Sequence, residues 1–477
     1  MIALYLLLAL LGLVLLLLLI ALLRTLLRPG KTAAYEPAAD GRAMAYAQKL
    51  ARMIRHETLS SPENPNREVF LAFHRELEEL FPLVHRHMEK TEIDGNLLFY
   101  WKGRNGDRPI VLMSHQDVVP AEGVWEHPPF SGELADGLVW GRGTSDTKAS
   151  LMCFFQACEE LLEQGYVPQQ DVYLASSCTE EHAGSGAAKL VNELQRRGVK
   201  PFLVCDEGGG IIRDPIAGVK GNFAMVGVFE KGKGDVRFTA RSGGGHASAP
   251  PRKSPIVRLA AFVSSVENKS PFRKKLSPEV AAMMESLAPY ASFPMRLLFG
   301  NLWLFAPLLK LAMPAVSAQA AAMLQTTCAF TMQKGSDACN VLPQEASVWA
   351  NLRFIPHQGM EESLSLIRQR AERFGLEMEV LHASDFTPPV DIRGEAWQQV
   401  TAAIEQSFPG LPYSPYVMTG ATDCCFWQEL CPNCIRFAPV IYGPMQMKGM
   451  HGLNETIGID CLPGGVDFYK NLIGLCK

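Results

Sequence analysis

A chain of 477 residues is too long for one ordinary domain, and a prior of about 150 residues per domain gives roughly three units. The composition, 48% apolar and 20% charged, is that of a globular protein, and a formal charge of −4 excludes a general attraction for nucleic acid. Twelve cysteines are too few in so long a chain for a disulfide scaffold and predict mostly buried thiols; Cys431-Pro-Asn-Cys434 lacks the second pair or nearby histidines that a zinc finger needs.

The first element is an uninterrupted apolar run from Ile2 to Leu23, about 33 Å long as a helix and so long enough to cross a bilayer. A cleaved signal peptide would need a positive n-region, a shorter apolar core and a small-residue cleavage site, and this run has none of them. Residues 1–23 therefore read as a single-pass transmembrane anchor. Because Arg24, Arg28 and Lys31 follow the span, the positive-inside rule puts the C-terminal bulk in the cytoplasm. Residues 24–40, rich in Pro, Gly, Ala and Lys, read as a linker.

The soluble body opens with a helix near Arg42. Apolar runs then alternate with amphipathic stretches: strands at 109–114, 171–176 and 201–205, helices at 149–164 and 185–197. That alternation predicts an α/β class, a mixed sheet with helices on both faces over residues 41–223, with ligands at the strand C-terminal ends. Near Ala224 the segments shorten, with strands near 326–332, 345–354 and 378–382 and a helix at 254–266. Residues 224–384 thus read as an inserted α+β lid or dimerisation domain, and 385–477 as the return to the first domain. Within the insert, Ala281 to Leu324 carries only Glu285, Arg296 and Lys310 as charges. Such an apolar stretch suggests a groove for an acyl chain, with Trp303, Phe305, Leu308 and Leu309 along it, or a face resting on the bilayer.

The residues suited to chemistry follow the strands. In Ser114-His115-Gln-Asp117 the spacing of two projects both side chains to one side, and a carboxylate beside a metal-binding imidazole fixes its tautomer. Gly141-Arg-Gly-Thr-Ser-Asp146-Thr-Lys148 puts an acid in a glycine-rich turn that lacks the spacing of a phosphate loop. Glu180-Glu181 sets two acids side by side, an arrangement that is costly unless a cation or a shared proton relieves it, and Asp206-Glu207 repeats the theme. His451 supplies a second histidine downstream. Acids at strand ends often only cap the next helix, but one sheet edge gathering two histidines and several acids suits zinc.

The ordered motifs His-x-Asp, Gly-Arg-Gly-x-x-Asp-x-Lys, Glu-Glu, Asp-Glu-Gly, Gly-His-Ala-Ser, Asn-Val-x-Pro and His-Gly-x-Asn-Glu resemble metallopeptidase family 20, the aminoacylase and carboxypeptidase S type. Within it the chain is most similar to the branch that makes and hydrolyses N-fatty-acyl amino acids. The resemblance implies two Zn2+ ions, replaceable by Co2+ or Mn2+. His115 and Glu207 would hold one, Glu181 and His451 the other, with Asp146 as the bridge and Asp206 as the alternative to Glu207. It makes Glu180 the general base, Asp117 the acid that orients His115, and His246 a donor to the scissile carbonyl, often across a homodimer interface. Asn340 and Arg353 would hold the substrate. One position departs from the pattern: Cys425 stands where the related enzymes usually carry an arginine, so a contact to a substrate carboxylate is in doubt there.

The expected function is hydrolysis, reversible in principle, of small N-acyl amino acids. Cleavage of dipeptides or of short peptides from the carboxyl end is the nearest alternative, and an inactive membrane-bound amino-acid or peptide sensor comes from a different class. Retention of every ligand and of Glu180 speaks against the sensor.

Overall fold

The computed structural model describes residues 1–477. In chain order the strands are β1 (Glu89–Ile93), β2 (Asn96–Trp101), β3 (Asn105–Met113), β4 (Glu133–Ala135), β5 (Leu138–Trp140), β6 (Gln170–Ser176), β7 (Leu203–Arg213) and β8 (Asn222–Glu230). Next come β9 (Gly232–Arg241), β10 (Gly245–His246), β11 (Thr327–Lys334), β12 (Val341–Leu342), β13 (Glu345–Phe354) and β14 (Glu377–Ser384). Last are β15 (Tyr413–Met418), β16 (Cys434–Tyr442) and β17 (Thr456–Gly458).

An eight-stranded mixed sheet runs β1-β2-β6-β3-β7-β16-β8-β15. Its centre is parallel: β3 pairs that way with β6 and β7, and β7 with β16. β3 shows why. Ile110 and Leu112 face the large core cluster, while Val111 and Met113 face a second cluster on the opposite side. A strand apolar on both faces is stable only when helices cover both, as the helices Ala149–Glu163 and Gly186–Arg196 do here. A smaller antiparallel sheet, β11-β13-β9-β14, has its own cluster of 15 buried residues beneath the helices Pro255–Asn268 and Gly359–Glu372.

The boundaries differ from those expected. β8 lies in the large sheet although seven of its nine residues, Ala224 onward, fall in the expected insert; all nine are buried, and a strand so apolar needs the two-sided cover that only the large sheet offers. The apolar stretch is likewise no part of the smaller body. Val280, Met283, Met284, Leu287, Leu309, Met323 and Leu324 join the large core, because the small sheet has no free apolar face for them. The smaller body thus comprises β9 to Ser277 and β11 to β14.

The chain passes between the bodies four times, near residues 231, 277, 325 and 385. Lys231, 1% exposed, holds two of these passages together, its Nζ donating to the carbonyl oxygens of Ala322 (3.1 Å) and Gln325 (2.8 Å). Lys231→Met keeps the volume but leaves both acceptors without that donor, so we expect a loss of about 1–3 kcal/mol, read as a lower urea midpoint. An unchanged midpoint would make the lysine dispensable.

The N-terminal helix α1 extends from Ile2 to Leu26, three residues beyond the expected span, and its apolar side chains stay exposed. Residues 27–40 have no regular structure, yet they are docked on the body and do not swing free. The Lys31 backbone N donates to Pro289 O at 2.7 Å, Ala33 is buried, and Asn222 Nδ2 donates to Tyr35 O at 2.9 Å. The Tyr35 ring meets Phe408 edge-on at 5.9 Å.

Candidate metal centre

Four adjacent strands, β6-β3-β7-β16, end at or carry the residues named from the sequence. His115 and Asp117 follow β3, Glu180 and Glu181 follow β6, and Asp206 and Glu207 lie within β7. His451 comes shortly after β16, beyond a short helix, Pro444–Gly449. Parallel neighbours bring their C-terminal ends to one edge, which is where such sheets hold ligands.

Asp146 reaches that edge from the glycine-rich turn after β5. Gly143 there takes φ +88°, and a Cβ on it would stand 2.6 Å from Val118 Cγ1, so glycine lets the turn pass close to the β3 loop. Glu455 fixes the same turn from across the site. Its buried carboxylate accepts from the backbone N–H groups of Gly143 (3.0 Å), Ser145 (2.8 Å) and Asp146 (3.0 Å), and pairs with Arg142 at 2.6 Å.

The two histidines meet Asp146 from opposite sides. His115 Nε2 lies 3.0 Å from Asp146 Oδ1 and 3.3 Å from Glu207 Oε1. His451 Nε2 lies 3.0 Å from Asp146 Oδ2 and 3.1 Å from Glu181 Oε2. Two groups of three ligand types result, His115-Asp146-Glu207 and Asp146-Glu181-His451, joined by the one aspartate. On its other nitrogen, His115 Nδ1 is 2.9 Å from the Asp117 carbonyl oxygen and 3.5 Å from its carboxylate. Asp117 is buried and also accepts from the backbone N–H groups of Glu180 (3.2 Å) and Glu181 (3.1 Å), so one aspartate aligns three site residues.

The electrostatics show too much negative charge for the protein alone. Burial, with the Asp146 charge added, raises the Glu207 carboxyl to about 8. Burial also pushes Glu180 well above the carboxylate range, helped by Glu207 and Asp423 and opposed by His115. Hydrogen bonds that it donates to Asp146 and Glu181 lift His451 to about 10. Glu181 Oε1 is buried and has no partner. Borderline N and O donors, an orphaned buried acceptor and carboxyls pushed up by one another fit divalent cations, which would relieve all three. Asp206 is turned elsewhere, accepting from its neighbour's N–H, so Glu207 is the geometric match.

A cavity of about 520 Å³ opens on this cluster, with Asp146, Glu180, Glu207 and His451 at one end. Much of the remaining wall is methionine: Met225, Met283, Met323, Met418, Met447 and Met450. No lysine or arginine lines it. Cys425 is not among its walls either, and burial raises that thiol, so it stays uncharged. Met283 and Met323 come from the apolar stretch. Trp303, Phe305, Leu308 and Leu309, expected along a groove, do not reach the cavity; Trp303 and Leu308 face solvent and Leu309 is buried in the core. The methionines were missed because they come from distant segments and no local spacing marks them.

Three residues implied by the resemblance stand apart. His246 is exposed on β10, its Nδ1 2.7 Å from Ser248 Oγ; Asn340 is exposed just before β12; Arg353 is half-buried on β13, its Nε donating to Asn351 Oδ1 at 3.2 Å. All three belong to the smaller body, and none lines the cavity.

Residues 111–474 match the model of peptidase family M20/M25/M40. The chain is 34% identical to the N-fatty-acyl-amino acid synthase/hydrolase PM20D1 of Homo sapiens, covering 90% of this chain and 87% of that protein. To a probable carboxypeptidase S-like 2 of Dictyostelium discoideum it is 32% identical over 90% and 84%. Among solved structures, an M20 family metallo-carboxypeptidase of Sulfolobus solfataricus superposes with a TM-score of 0.67 at 16% identity, covering 92% of this chain and 99% of that one. Human carnosine dipeptidase 1 gives 0.63 at 14% identity, over 92% and 100%. The chain belongs to peptidase family M20/M25/M40, whose members are hydrolases of C–N amide bonds.

Proposed function

We propose that this hydrolase is a two-zinc enzyme, held at a membrane by α1, that cleaves N-acyl amino acids with long acyl chains. The observation that carries the reading is the cavity, whose catalytic end opens into a methionine wall without a cation. Thioether side chains are unbranched and polarizable and adapt to flexible apolar chains. A dipeptide would bring its N-terminal ammonium onto that methionine wall, which offers no anionic partner.

His115 and Glu207 would hold one ion and Glu181 and His451 the other, with Asp146 shared. When bound, such a pair supplies Lewis acidity and a water acidified toward neutral pH. Glu180 then takes the water's proton and hands it to the departing nitrogen. Asp117 keeps His115 in one orientation and holds the Glu180 backbone in place. His246, supplied by the smaller body of a second copy, donates to the carbonyl oxygen as charge develops on it, and Asn340 and Arg353 grip the amino-acid end. Insertion of α1 is supported by its 25 residues and its exposed apolar surface, and Arg24 in the last turn favours a cytoplasmic orientation of the body.

Metal content and kinetics of the full chain in mild detergent test this reading. Each methylene buried on the wall contributes about 0.8 kcal/mol, so kcat/KM should rise roughly fourfold per carbon from acetyl toward octanoyl substrates. Met283→Gln with Met323→Gln should flatten that rise and leave the acetyl substrate unaffected. A flat or falling series, or faster cleavage of dipeptides, would return the chain to the peptidase reading.

A further inference from the structure

A second cavity, of about 340 Å³, lies where the end of α1 meets the helices Pro278–Leu287, Phe293–Phe299 and Leu302–Val316. Arg24, Arg28 and Arg296 line it, with Glu285 as its one acid. None of the three guanidinium groups has a carboxylate within 4.0 Å, whereas about half of the other arginines are paired. Arg296 is held in place: its guanidinium lies 5.5 Å over the Phe293 ring, and its Nε is buried without a partner. A Cβ on Gly30 would come within 2.1 Å of Arg296 Nη1, so the docked linker closes over the group. Like charges gathered around one void, with a buried donor unsatisfied, are costly unless an anion completes them.

The surroundings identify the anion. Asn301, 1% exposed, ties α1 to the bent pair of helices: its Nδ2 donates to Thr25 Oγ1 at 3.0 Å, to Leu297 O at 2.9 Å and to Ala21 O at 3.3 Å. The Arg24 guanidinium lies 5.9 Å over the Trp303 ring. The helices Phe293–Phe299 and Leu302–Val316 meet at 108° and are together as apolar as a membrane span. Phe293, Trp303, Leu308, Leu311 and Val316 stand exposed on them. With α1 across a bilayer as proposed, an arginine-lined cavity at the end of that helix, rimmed by exposed aromatic and aliphatic groups, would sit at the depth of lipid headgroups. Guanidinium groups bind phosphate through paired, charge-assisted hydrogen bonds.

We propose that the Arg24-Arg28-Arg296 cavity binds the phosphate of an anionic membrane lipid, seating the bent pair of helices in the same leaflet as the end of α1. The proposal rests on α1 lying in a membrane. It makes the apolar stretch an element with two faces: Met283 closes the catalytic cavity while Glu285, two residues on, lines the lipid site.

Native mass spectrometry of the full chain in mild neutral detergent tests it, with dioctanoyl phosphatidic acid, dioctanoyl phosphatidylcholine and inorganic phosphate as separate probes at equal concentration. Phosphatidic acid should bind about tenfold or more tighter than either of the others, the scale of one charge-assisted hydrogen bond. R28Q combined with R296Q should abolish that preference while hydrolysis of an acetyl substrate continues. R24Q with R28Q, both exposed positions, repeats the test without touching Arg296. Equal binding of phosphatidylcholine, or a preference that survives both variants, would overturn the site. Phosphate binding as tightly as the lipid would overturn the lipid assignment in favour of a free anion. Dioctanoyl lipids need no bilayer, so the cavity is read independently of the anchor. Carbonate-resistant flotation with phosphatidylcholine vesicles reports α1 alone, and its failure would remove the anchor while leaving the binding result intact.

Discussion

Glu180→Gln is expected to keep its full complement of metal and lose about 10²–10⁴-fold in kcat, the usual contribution of a general base. Two side-by-side acids face one cluster, and the geometry separates their roles. Glu181 reaches His451 at 3.1 Å and belongs to a ligand group, whereas Glu180 lines the cavity and belongs to neither group. A base must be able to hold a proton between taking it and giving it away. Burial beside Glu207, Asp423 and Asp146 pushes the Glu180 carboxyl up, in that direction, while the nearby His115 restrains it. Glutamine keeps the shape and loses the proton-carrying step. Elemental analysis of the purified variant beside its turnover decides the matter: a protein that arrives metal-free would exchange the roles of Glu180 and Glu181.

His246→Ala should spare folding and metal content yet cut kcat by about 10²–10³-fold, the scale of losing one oxyanion donor. The side chain is exposed and lines no part of the cavity of its own chain, so on the proposed mechanism it serves a second copy. That arrangement makes a sharper test. Mixing H246A with E180Q, each nearly inactive alone, should restore about a quarter of wild-type activity once subunits exchange, because half the dimers are hybrids and each hybrid has one complete site. Activity that stays at the level of the separate variants would place His246 outside the mechanism or within its own chain's site.

The gathering of the candidate residues was foreshadowed in the sequence because most of them follow a strand of the large sheet or lie within one, and its parallel neighbours deliver such positions to one edge; Asp146 alone arrives from a turn outside that sheet. His115, Asp146, Glu181, Glu207 and His451 lie together in space, although they span most of the chain. Glu455 was visible only as the end of a motif; its role emerges when three backbone N–H groups from a distant turn are seen to converge on it. The domain boundary at 224 was misplaced because a texture of short segments was taken as one unit. Burial on both faces, which no local pattern reveals, returned β8 to the large sheet. The apolar stretch was recognised as unusual, but its lid placement was wrong, since composition marks a surface without saying which body owns it. The arginine cavity had no sequence signal at all, because Arg296 joins Arg24 and Arg28 only through the packing of α1 on the bent helices.

The docked path of residues 27–40 bears on how the enzyme meets its substrate. A free linker of that length could extend about 45 Å and let the catalytic body sweep through solution. With Lys31, Ala33 and Tyr35 seated on the body, the proposed anchoring through α1 would hold the mouth of the methionine cavity at a set height above the bilayer plane. On that proposal an amphiphile dissolved in the leaflet would reach the site by lateral diffusion, and the quantity governing turnover would be its mole fraction among lipids. Diluting the substrate with inert lipid should slow such an enzyme even when the bulk concentration is unchanged.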